Sequence, residues 1–195
     1  MDYTISEKYD LIINEVKKDK SLNPIKIVKN IMHKEYINIH GPEHHFLDGA
    51  AFLVAYNNAG GNIDLDKALF DLRERTIKMP GAMCGLWGVC GSVTSIGAAL
   101  SVIHGTGPLS NDDFYKEHMK YTSSVIEKMS EIGGPRCCKR NAFLSIDAAI
   151  KFVEENYGIK MESNKITCEF TDWNKQCIKE RCPFFANTFN NKILI

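Results

Sequence analysis

The chain has 195 residues, of which 44% are hydrophobic, so it is long enough to bury the core of one domain. Lys and Arg together number 24, as do Asp and Glu, and the formal net charge of zero argues against nucleic acid or an anionic membrane surface as a partner. Because the N-terminal segment has neither a basic start nor an apolar run, and no stretch is long enough to span a bilayer, we expect a cytoplasmic protein.

Hydrophobic periodicity predicts two helices within residues 1–40. The first covers residues 5–20 and has a lysine-rich outer face. The second follows Asn23, a capping residue, and Pro24, which is favoured at the first helical position. Its apolar spacing continues to Tyr36, so we expect it to end just before Gly41.

The core is predicted to lie in residues 41–160. A helix that begins at Pro42 is apolar nearly all round, which predicts a central position, and Gly60 ends it. Capping residues and periodicity predict further helices at residues 65–78, 92–101, 110–132 and 139–157.

A cysteine-rich tail is predicted for residues 161–195. Alternation of apolar and polar residues at 165–170 indicates a short extended segment. We therefore predict one all-α domain, residues 1–195, of about seven helices with a partly extended C-terminal segment.

Seven cysteines occur in a chain without an export signal. A reducing cytosol disfavours disulfides, so metal binding or thiol chemistry is the expected use of these residues. For each cysteine taken alone, packing in the core remains the alternative.

A glycine-rich loop before a helix of small residues contains the first two cysteines, Cys84 and Cys90. Gly85, Gly88 and Gly91 let the backbone approach a bound group, so the loop can hold an anion or a metal cluster. It lacks the Lys-Ser/Thr ending of a phosphate-binding Walker A loop. The alternative is a tight turn with two buried thiols.

The adjacent pair Cys137 and Cys138 precedes a predicted helix. The helix dipole and the basic side chain of Arg136 favour thiolate over thiol there. Either cysteine is thus a candidate nucleophile or metal ligand, and Arg136 a candidate cofactor contact. Because adjacent side chains point in different directions, we expect one functional and one packed cysteine.

The tail supplies three more candidate ligands, Cys168, Cys177 and Cys182. A proline follows the last of them, as in many iron–sulfur loops, but the spacing matches neither a bacterial ferredoxin run nor a zinc knuckle. The pattern indicates a metal without specifying which one. A cysteine-rich cap on the helical body is the alternative.

Two histidines, His44 and His45, are further candidate metal ligands. His44 and Asp48 lie four residues apart on one helix face, which suits a metal site or a histidine–carboxylate pair. Capping and packing are the alternative, because the HExxH pattern of zinc enzymes is absent.

These motifs resemble two known groups. The stretch GVCGSVTSIGAAL is similar to the cysteine helix of the redox-active GCAxxG and paired-cysteine family, in which further cysteines complete a metal or redox site. The order HGPEHHFLDGAAFL, MCGLWGVCG, GGPRCCKRN and a final Cys-x4-Cys-Pro resembles a domain of unknown function found alone or joined to S-adenosylmethionine-dependent methyltransferase-like domains. The likeness covers about residues 40–183 and favours Cys90 most as a site residue.

Three functions follow as hypotheses. The first is a redox-active protein whose cofactor is a cysteine-ligated metal ion or iron–sulfur cluster, with thiols from the loop, the pair and the tail meeting at one site. The second is a metal-free thiol enzyme that uses Cys137 or Cys138. The third is a non-catalytic accessory domain with a methyltransferase or corrinoid-type protein as its partner.

Overall fold

A computed structural model describes residues 3–186, which excludes the last nine residues of the predicted tail. Eight α-helices form within this part of the chain, and no strand does. The helices are α1 (Ile5–Val16), α2 (Pro24–Met32), α3 (His44–Asn58), α4 (Leu65–Thr76), α5 (Met83–Leu86), α6 (Gly91–His104), α7 (Asp113–Ile132) and α8 (Cys138–Tyr157). The all-α prediction is confirmed. No helix in the described residues is long and apolar enough to cross a membrane.

The central helix is α3, as its apolar composition predicts. Every residue from His44 to Tyr56 is buried, and α1, α2, α4, α6 and α8 all pack against it. Its crossing with α6 is close because Gly49 has no side chain, and its backbone N–H donates to Ser95 Oγ at 2.9 Å. The crossing brings the first turns of α3 and α6 into one region of the core.

Helix α2 ends at Met32, earlier than the periodicity predicted. The following segment forms turns instead, because its backbone is used in tertiary contacts. The backbone N–H of Asn38 donates to Glu43 Oε1 at 2.7 Å, and its carbonyl accepts from Lys139 Nζ at 2.8 Å. These bonds replace the helical ones that would have continued α2.

The tail, as far as residue 186, docks on α2 and α8 without forming a strand. Residues 165–170, predicted to be extended, pair with no neighbouring strand, although the Cys168 N–H donates to the Phe184 carbonyl at 2.7 Å. Lys29 of α2 donates to the Thr167 carbonyl at 3.2 Å, and Phe170 is 1% exposed. A single 3-10 turn, Lys179–Arg181, precedes Cys182.

Candidate functional site

Four cysteines from two parts of the chain line one small cavity, the four-cysteine cavity. Cys137 precedes α8, whereas the other three belong to the tail, and the enclosed volume is about 20 Å³, close to that of a single water site. Aromatic side chains of the tail and α8 form much of the remaining wall. The cysteines are Cys137, Cys168, Cys177 and Cys182.

Sulfur atoms of this cavity accept hydrogen bonds from nearby N–H groups. Cys137 is the N-cap of α8, and its Sγ accepts from the Arg140 N–H at 3.4 Å and from Asn174 Nδ2 at 3.6 Å. Sγ of Cys168 accepts from the Phe170 N–H at 3.4 Å. Burial raises the pKa of Cys168, so its thiol form is favoured while nothing cationic is bound.

Arg140 lies at the edge of the four-cysteine cavity and is 4% exposed. Its Nη2 donates to the backbone carbonyls of Gly133 and Pro135 at 3.0 and 3.1 Å. Its Nη1 is buried and has no partner within residues 3–186. A guanidinium cannot shed its charge, so this buried donor favours an anionic neighbour.

A second cavity, the arginine cleft, opens on the other side of Arg140. Its volume is about 560 Å³, within the range of small-molecule sites. It lies among α5, the first turn of α6, the last turns of α7 and the start of α8. The side chains that line it include Cys84, Cys90, Arg136, Arg140, Leu86, Ile126 and Met129.

The glycines of the loop divide between two roles. Gly85 and Gly88 line the cleft, and a Cβ added to either would meet nothing within 4 Å, so space remains above the backbone. Gly91 instead packs under the ring of His45, where an added Cβ would lie 2.1 Å from Cδ2. Gly91 therefore fixes the approach of α3 to α6 and does not line the cleft.

The two predicted histidines lie in the core, away from the four-cysteine cavity. His44 is 1% exposed, and its Nε2 lies 3.0 Å from Lys139 Nζ and 3.1 Å from the Asn38 carbonyl oxygen. Burial lowers the pKa of both His44 and His45. Both rings are thus neutral around pH 7.

Asp48 is the most unusual polar residue of this region. It is fully buried, and neither carboxyl oxygen has a hydrogen-bond partner in the described part of the chain. Burial raises its pKa to about 7, against the opposing influence of the Ser92 hydroxyl and the Lys139 ammonium. Its charge is also felt by Cys90 and Cys138, which places the three groups close together.

The electrostatics of Cys138 differ from the sequence-based expectation, and the pKa of Cys90 shifts in the same direction. Burial raises the pKa of Cys138 to about 12, and it also raises the pKa of Cys90 despite a bond of 3.2 Å from Asn141 Nδ2. The helix dipole does not offset the loss of water around these thiols. The predicted shift of Cys138 toward thiolate is therefore wrong in direction.

The seven cysteines do not meet at one place. Four line the four-cysteine cavity, Cys84 and Cys90 line the arginine cleft, and Cys138 is partly buried near Asp48. Of the adjacent pair, Cys137 is thus the one that reaches a cavity. Arg140 is the residue that lines both cavities.

No group of three or more His, Cys, Asp or Glu side chains between residues 3 and 186 is arranged to coordinate a metal ion. The four thiols therefore share a cavity without converging on a point. Coordination there requires rotation of cysteine side chains toward the cavity centre.

Three residues that the sequence analysis did not single out as site residues are Lys139, Arg140 and Asn174. The burial of Lys139 could have been predicted from the sequence. It lies three residues before Ala142 and four before Phe143, which places it on the same buried face of α8. Asn174 gave no signal, since its position depends on how the irregular tail docks. Arg140 follows the cysteine pair, but only packing shows that it is buried.

The fold and its two cavities define an all-helical, cysteine-rich protein. The chain belongs to a family of unknown function (DUF5714), whose profile matches residues 12–185. Neither the curated proteins nor the solved structures include a match to the chain.

Proposed function

We propose that the protein is a cysteine-ligated metal protein whose metal binds in the four-cysteine cavity. The observation that carries the proposal is that one small cavity is lined by four thiols from α8 and the tail. Four cysteine sulfurs are the ligand set of structural zinc sites and of iron–sulfur clusters.

The surroundings of the cavity favour a negatively charged centre. A divalent ion with four thiolates carries a net charge of about −2. The unpartnered Nη1 of Arg140 is a buried cation at the cavity edge, and Asn174 Nδ2 donates to Cys137 Sγ. Donors of this kind orient ligands and tune a metal site.

The size of the cavity favours a single ion over a cluster. A volume of about 20 Å³ accommodates one atom of water size, whereas an iron–sulfur cluster requires outward movement of the tail. A zinc-class ion would tie the tail to the bundle. An iron cluster would add the redox activity that the resemblance to the GCAxxG and paired-cysteine family implies.

Elemental analysis of protein purified without oxygen tests the proposal. We expect about one equivalent of zinc per chain, or iron with visible absorption, because a site of four cysteine thiolates binds either tightly. Cys168→Ser and Cys182→Ser should each lose most of the metal. Cys84→Ser is the matched control, since Cys84 lines the other cavity.

Absence of stoichiometric metal from the wild type would refute the proposal. Equal metal loss in Cys84→Ser and Cys182→Ser would also contradict it, because the loss would then reflect general instability. The accessory domain with a methyltransferase or corrinoid-type partner, and the metal-free thiol enzyme that uses Cys137, remain predictions. Fast alkylation of Cys137 in metal-free wild-type protein would favour the enzyme.

A further inference from the structure

We propose that the arginine cleft is a binding site for a small organic carboxylate. The proposal does not rest on a metal in the four-cysteine cavity, because it concerns different thiols and a different opening.

The charges around the cleft have one sign. Arg136 and Arg140 line it, and no Asp or Glu does. Arg136 is exposed and makes no hydrogen bond or ion pair with the residues between 3 and 186, so its charge is available to a ligand. Arg140 adds a second cationic side chain to the lining, although its Nη1 has almost no exposed surface.

Much of the remaining wall is apolar, which favours an organic anion over an inorganic one. Leu86, Ile126 and Met129 line the cleft, and its volume of about 560 Å³ exceeds that of a single carboxylate group. A ligand with a carboxylate at the arginines and a hydrocarbon body against these side chains matches both the cationic and the apolar part of the wall. The thiols of Cys84 and Cys90 then lie beside it.

Paired alkylating reagents test the cleft without knowledge of the natural ligand. Iodoacetate and iodoacetamide deliver nearly the same group to a thiolate with loss of iodide, but only iodoacetate is an anion. Rates at Cys84 and Cys90 are measured by peptide mass spectrometry at mildly alkaline pH, because burial raises the pKa of Cys90. The neutral thiol N-acetylcysteinamide is the reference in free solution.

We expect the ratio of the iodoacetate rate to the iodoacetamide rate to exceed that of the reference thiol roughly threefold or more, as one nearby charge would give. Arg136→Gln should remove most of this excess, and the ratio corrects for any change in the thiolate fraction, because that change affects both reagents equally. The matched control is Lys128→Gln, which loses the same charge from an exposed position of α7 outside the cleft.

A ratio equal to that of the reference thiol would overturn the proposal. An equal fall in Arg136→Gln and Lys128→Gln would also overturn it, because the effect would then come from net charge. Arg136 lines the cleft and not the four-cysteine cavity, so the effect of Arg136→Gln is tested whether or not that cavity holds a metal, and this proposal and the proposed function can fail separately.

Discussion

Asp48 is a carboxyl group that the fold holds in the core without a hydrogen-bond partner in the described residues. Its pKa of about 7 in the folded chain lies above the ordinary value of 3.8. The folded state therefore holds a proton that the unfolded chain releases between about pH 4 and pH 7. Its contribution to stability thus falls as pH rises through this range.

Asp48→Asn should remove this dependence. The shift corresponds to about 4 kcal/mol at most. Relative to wild type, the variant should gain stability steadily from pH 4 to pH 7, and the difference should level off above pH 7. Urea unfolding of both proteins across this pH range measures the difference in their free energies of unfolding. The nearby histidines are present in both proteins, so their titration affects both.

Asp113→Asn is the control for this comparison, because its side chain is 86% exposed. It should keep the pH dependence of the wild type. A difference between Asp48→Asn and wild type that does not change with pH would show that Asp48 is ionised throughout, and would contradict the burial argument.

At the scale of single residues, the sequence identified the reactive residue types but not their grouping. All seven cysteines were candidates, yet which of them share a cavity depends on where the irregular tail docks. Burial also reversed the expected shift of Cys138, since desolvation depends on neighbours distant in sequence. Cys137 was distinguishable only through its N-cap position at α8.

Among the elements, the crossing of α3 and α6 is the contact most sensitive to volume. A Cβ on Gly49 would lie 2.8 Å from Ser95 Oγ and 3.0 Å from the Ser95 carbonyl. The carbonyl belongs to the α6 backbone and cannot rotate away. Any methyl group here must push the two helices apart.

Gly49→Ala should therefore destabilise the fold by about 1–3 kcal/mol, the usual effect of overpacking. Gly97→Ala is the matched control on α6, where the nearest group is the Thr122 hydroxyl at 3.1 Å. That variant should be neutral or gain up to about 1 kcal/mol from helix propensity. Thermal unfolding distinguishes the two, and equal stability of both variants would contradict the close-packing argument.

Helices were the most predictable elements. Capping residues and periodicity located α3, α4, α7 and α8 within a few residues, because these signals are local. The end of α2 was missed, since the backbone of Asn38 bonds to the Glu43 side chain five residues away and to Lys139 far along the chain. No local pattern predicts the contact with Lys139.

For the whole molecule, the tail is the part whose order should depend on metal. Three basic residues of the tail are exposed and lie near its cysteines: Lys175, Lys179 and Arg181. Trypsin should cleave there first when a chelator removes the proposed metal, while the helical body persists, because the described part of the tail contains no α-helix.

Limited proteolysis followed by mass spectrometry measures this difference. Chelator-treated wild type should lose the segment beyond residue 175 several times faster than untreated protein, and Cys182→Ser should behave like the chelated form. Equal cleavage rates with and without chelator would contradict the dependence of the tail on metal.

The docking of the tail on α2 also sets the order in which the chain can assemble. The bond from Lys29 to the Thr167 carbonyl joins residues 138 positions apart, and His33 meets Glu169 across 136. Such contacts close a loop around most of the chain, so the entropy of closure is lost before they form. We therefore expect the four cysteines to come together in the last step of folding, after the helices that support them.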